Sequence, residues 1–95
     1  MNLDELRENY REDILFIAKE YGLTNLRVFG SVARGDATEN SDIDLLAHPP
    51  KGIRIKFVEA ENKLRDLMNK PVQLISDRAI HHLIHDNVFA EAKPL

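Results

Sequence analysis

Cysteine is absent from all 95 residues. That excludes a disulfide framework, a thiolate zinc site and thiol chemistry, and it suits a reducing compartment. No apolar run approaches the roughly 20 residues of a membrane span. The opening residues, MNLDELRENYRED, are acidic and polar. A secretory leader has the opposite character, so the expected location is the cytoplasm, with no membrane partner. Repeats and low-complexity tracts are missing too. Positive charge is not in excess: 13 basic residues stand against 16 acidic ones, for a net charge of -3. Non-specific nucleic-acid binding rests on many Lys and Arg contacts to phosphate, so direct nucleic-acid binding is not expected.

What is present describes an ordinary folded chain. Hydrophobic residues make up 43% and charged residues 31%. Residues 1–95 are expected to form a single domain with one small core. Leu3, Leu6, Tyr10, Ile14, Ile17 and Tyr21 recur at helical spacing, which predicts an amphipathic helix over 3–21, stopped by Gly22. Residues 25–29, NLRVF, read as a strand. Ser31 is a candidate N-cap for a short helix over Val32, Ala33 and Arg34, ended by Gly35. DATENS at 36–41 is a polar loop, and DIDLLA at 42–47 is a second strand.

A second long helix is expected over 54–69, with Phe57, Ala60, Leu64, Leu67 and Met68 as its apolar stripe. Pro71 cannot continue it. VQLI at 72–75 reads as a third strand. Ser76 or Asp77 would cap a last helix over 78–90, with Ile80, Leu83, Ile84 and Val88 inward. The tail, EAKPL, carries no pattern. Strands joined by helices imply an α+β fold: a small mixed β-sheet covered by helices.

Two elements carry chemistry. The first is Phe29-Gly30-Ser31, where a strand gives way to a turn and a helix. Glycine allows a close backbone approach, and the N–H groups of a helix start suit phosphate oxygens. Alone, such a turn is most often only a serine cap. The second is Asp42-Ile43-Asp44. Strand residues two apart face one side, so both carboxylates project together. Like charges at short range raise one pKa unless a cation intervenes. Mg²⁺ suits one or two carboxylates plus substrate phosphates. If the two strands are neighbours, cradle and carboxylates share the same strand ends. That geometry fits metal-assisted attack on a nucleotide α-phosphate.

The run Gly30-Ser31-Val32-Ala33-Arg34-Gly35, followed by Ser41-Asp42-Ile43-Asp44-Leu45-Leu46, resembles the G-S-x-A-R-G…S-D-x-D-L signature of the polymerase-β-like nucleotidyltransferase superfamily. The closest likeness is to the minimal nucleotidyltransferases, the antitoxin partners of MNT–HEPN modules. This resemblance implies a nucleotidyltransferase fold, with Gly30 and Ser31 holding a triphosphate and Asp42 and Asp44 acting as catalytic Mg²⁺ ligands. Arg34 and Ser41 would touch phosphate, although Arg34 is equally suited to a structural ion pair. The implied reaction moves AMP from ATP onto a hydroxyl, a tyrosine of a HEPN ribonuclease toxin. The implied partners are that toxin and the nucleoside triphosphate, in a homo- or hetero-oligomer. Transfer to a small molecule or RNA, as in larger relatives, is a third reading.

One position departs from the pattern. Minimal members carry a third acid in a strand that reads like V-D-L-V, whereas here it reads Val72-Gln73-Leu74-Ile75. Gln73 has no charge and cannot act as a base. Asp77, four residues on, is a candidate substitute. Two alternatives stay open: an enzyme working with two carboxylates, or a degenerate antitoxin that binds nucleotide or toxin and acts by occlusion. His81 and His85 have an i, i+4 spacing that can bind metal, but without an H-E-x-x-H arrangement they read with His82 as a helix's polar face. Lys51, Arg54 and Lys56 form a small basic group that reads as a solvated face.

Overall fold

The computed structural model describes residues 1–79 and 82–95, and no side chains over 82–86. Helix α1 spans Leu3–Glu20. It is capped by Asn2, whose Oδ1 accepts the Glu5 N–H at 2.8 Å. Asp4 and Glu5 in the first turn and Lys19 in the last complement the helix dipole. Strand β1 follows (Thr24–Phe29), then the short helix α2 (Gly30–Arg34) and strand β2 (Ile43–His48). Helix α3 spans Ile55–Met68, and β3 spans Val72–Ser76. Helix α4 covers His82–Glu91, and a two-residue strand, β4 (Lys93–Pro94), closes the chain. Most expected elements are present, with ends moved by a residue or two. The last helix begins later than residue 78, and β4 was not expected.

The sheet has the order β3-β2-β1-β4. Strand β2 pairs antiparallel with β1 and parallel with β3, and β4 joins the outer edge of β1 antiparallel. The mixed α+β architecture is therefore as expected. Alternation along the strands sorts the two faces. Leu26, Val28, Ile43, Leu45, Ala47, Val72 and Leu74 meet Leu6, Ile14 and Ile17 of α1 and Ala60, Leu64 and Met68 of α3. Phe29 and Leu46 face the other way and meet Val88 of α4. Leu67 departs from the expected stripe: it is 41% exposed. The stripe narrows to Ala60, Leu64 and Met68, and Phe57 only packs against its edge.

Arg54 precedes α3 with φ 46° and ψ -121°. Asn25 and Asn69 also have positive φ, but asparagine tolerates that region. A side chain at the Arg54 combination lies in the mirror-β region that glycine alone enters freely. Such strain costs roughly 1–3 kcal/mol, against roughly 0.4–1 kcal/mol for the extra freedom glycine gives the unfolded chain. We expect Arg54→Gly to stabilise the fold by about 1 kcal/mol. Urea unfolding checks this, and a lowered midpoint would contradict it.

Candidate functional site

The site forms where β1 ends and β2 begins. Phe29 pairs with Asp44 across the two strands, so Gly30 turns directly beside that carboxylate. Gly30 has φ +72°, and a Cβ there would lie 2.1 Å from Asp44 Oδ2. No side chain fits in that space. The close approach expected of this glycine is thus made to Asp44 itself. Ser31 lies inside α2 rather than at its cap; Phe29 holds the cap position and makes no side-chain bond there. The Ser31 carbonyl accepts the N–H groups of Gly35 and Asp36, at 2.9 and 3.0 Å, which closes the turn. Gly35 takes the left-handed end position expected of it, at φ 87°.

Two substitutions separate conformation from crowding. Gly35→Ala meets only the cost of positive φ, about 1 kcal/mol, because nothing lies within 4 Å of the added carbon. Gly30→Ala meets the same cost and also drives a methyl into Asp44, so a loss of roughly 2–4 kcal/mol is expected. Thermal melts of both variants test the difference. Equal losses would mean that the Gly30–Asp44 approach is not tight.

Asp42 precedes β2 and is exposed, whereas Asp44 is half-buried within it. The expected strand start at 42 is one residue early, so strand alternation alone does not align the two acids. They nevertheless share one electrostatic neighbourhood. Burial first, then the charge of Asp42, pushes the Asp44 carboxyl above its ordinary value of 3.8. Arg34 opposes that shift, and Glu91 adds slightly to it. Glu91 was not foreseen from the sequence. Its Oε1 accepts the Gly30 N–H at 2.9 Å. Its two oxygens lie 3.3 and 3.1 Å from Arg34 Nη1. Arg34 Nε reaches Asp36 at 3.3 Å.

Residues 7–94 match the family model of the nucleotidyltransferase domain. The chain belongs to this family. A Methanocaldococcus jannaschii protein, provisionally named a protein adenylyltransferase, is 37% identical over 81 residues, 84% of this chain and 83% of that protein. A solved structure of a protein provisionally described as a minimal nucleotidyltransferase aligns with a TM-score of 0.85 and 36% identity, over 100% of this chain and 97% of the other. A crystal structure of a toxin–antitoxin with AMP-PNP shares the fold, with a TM-score of 0.77 at 23% identity over 87% of this chain and 69% of that one.

In this nucleotidyltransferase Gln73 pairs with Asp44 in the parallel ladder of β2 and β3, so it stands level with that carboxylate, and it is exposed. Asp77 is no substitute for an acid at that place. It sits past the far end of β3, where it bonds Arg27 Nη2 at 2.9 Å and His48 Nδ1 at 3.0 Å. Its carboxylate is held by those two partners. Ser41 closes its own loop, its Oγ accepting the Thr38 N–H at 2.9 Å. Lys51, Arg54 and Lys56 line an open groove of about 730 Å³ beyond the other end of β2, away from Asp44. Ile80 and His81, and the side chains of His82, Leu83, Ile84 and His85, lie outside what the structure describes, as does the reading of the histidines. No helix among the described residues is long and apolar enough to cross a membrane.

Proposed function

We propose that this nucleotidyltransferase moves AMP from ATP onto a hydroxyl of a partner protein, a tyrosine of a HEPN ribonuclease toxin, and so acts as its antitoxin. The observation that carries the reading is the contact of Gly30 with Asp44, which joins phosphate turn and acidic pair at adjacent strand ends. The adenylyltransferase name of a relative and the toxin–antitoxin with AMP-PNP support the nucleotide and the partner.

In the proposed reaction the acceptor hydroxyl gives its proton to solvent, its oxygen bonds the α-phosphorus, the bond to the β-phosphate breaks, and pyrophosphate leaves. Asp42 and Asp44 would hold Mg²⁺. Among the described residues no group of three His, Cys, Asp or Glu side chains gathers, but Mg²⁺ needs only one or two carboxylates when phosphates complete its shell. When bound, the ion would neutralise charge building on the phosphates. Ser31 and Arg34 would bind the triphosphate, Ser31 through its hydroxyl and Arg34 through its guanidinium donors. The Gly30 N–H is taken up by Glu91, so the glycine's part is to make room. Gln73 cannot take the hydroxyl proton.

Gln73 is also the observation that favours a second reading, occlusion without turnover. Label transfer from α-labelled ATP to a co-expressed toxin tests the first. With Asp42→Ala and Asp44→Ala, lost neutralisation with toxin binding retained supports chemistry, and unchanged neutralisation supports occlusion.

A further inference from the structure

Glu91 is the last residue of α4, held in place by the pairing of Lys93 and Pro94 with β1. Across 61 residues of sequence its carboxylate reaches the Gly30 N–H, and the same group bonds Arg34. We propose that Glu91 is a positioning residue for nucleotidyl transfer: it clamps the Gly30 peptide and the Arg34 guanidinium in one geometry, ready for a triphosphate. The inference rests on the assignment of Ser31 and Arg34 to phosphate.

A competing view would make Glu91 an obstacle that phosphate must displace. Two features weigh against it. Arg34 neutralises the carboxylate, so its repulsion of phosphate is small. Arginine also has five N–H donors, and Glu91 engages only Nη1, with Asp36 on Nε. A guanidinium already ordered loses less freedom when it meets phosphate. Arg34 is exposed and long, so without Glu91 only the exposed Asp36 holds it, and most of that ordering falls to the ligand.

The test uses Mg-ATP and inorganic tripolyphosphate as probes of the full chain, by calorimetry. Glu91→Gln keeps an acceptor for the Gly30 N–H but removes one of the two partner anions of Arg34, leaving Asp36. Both probes are expected to bind roughly 10-fold more weakly, the usual scale for losing a residue that orients a ligand. Glu91→Asp, which keeps the charge, is expected to recover part of that loss. Arg34→Gln is expected to cost less in the Glu91→Gln background than alone, because the two residues act as one unit. Unchanged or tighter binding in Glu91→Gln, or fully additive losses, would overturn the proposal while leaving the transfer reading intact. A wild type that binds neither probe would overturn both, and it is recognised by failure of the unmodified chain. Melting curves establish that each variant is folded.

Discussion

Asp44→Asn is expected to lower nucleotidyl transfer by roughly 10²–10³-fold, the scale of removing one preorganised electrostatic group, while raising the melting temperature at neutral pH. The two effects share one cause. Burial and the neighbouring Asp42 charge make the folded state hold the Asp44 proton more tightly than the unfolded chain does. A folded pKa above the unfolded one gives stability that is full below the unfolded value and lost as pH rises through the folded value. At neutral pH the wild type has therefore lost that contribution. Asparagine mimics the protonated acid and keeps it. The stabilisation should shrink as pH falls toward 3.8, where the wild-type carboxyl regains its proton. Melts at several pH values, beside label-transfer rates, test both halves. A variant no more stable than wild type at neutral pH would mean that Asp44 is not strained by its surroundings.

Such a trade suits a site that keeps like charges close for the sake of a cation. It also explains which parts of the site were readable in sequence. Gly30-Ser31 and Asp42-x-Asp44 sit at the ends of two strands with clear apolar patterns, and neighbouring strands pair. Their meeting followed from local chemistry. Glu91 could not be found that way. It is an ordinary acid in a helix, and it reaches Gly30 only because β4 folds back along β1. Strand β4 itself is two residues, a lysine and a proline, and neither alternates nor favours a strand. Asp77 shows the opposite failure. Its spacing from Gln73 invited a role in the site, but a parallel strand of five residues carries it to the far end of the sheet. Ser31 has the chemistry of a cap, yet the helix starts two residues earlier than expected, at Gly30, because glycine there admits the turn.

The register of Gln73 with Asp44 supports the second large prediction. Gln73→Asp places a carboxylate level with Asp44 on the adjacent strand, about 5 Å away across the ladder. Without a cation this third charge repels the first two, so the variant should melt below wild type in chelator. With Mg²⁺ the same crowding becomes a better ligand set. The gain in melting temperature on adding Mg²⁺ should then be larger than in wild type, following the difference in ion affinity. If the site turns over, a base restored beside the reacting oxygen should raise label transfer by about 10²-fold, the low end for general-base catalysis. Melts with and without Mg²⁺ read the first effect, and α-labelled ATP reads the second. The two readouts part the rival functions. A larger Mg²⁺ response together with faster transfer means that Gln73 only slows a working enzyme. A larger Mg²⁺ response with no transfer at all means that the scaffold still gathers an ion but acts by occlusion. An unchanged Mg²⁺ response would mean that position 73 does not face the carboxylates, against the observed pairing of Gln73 with Asp44.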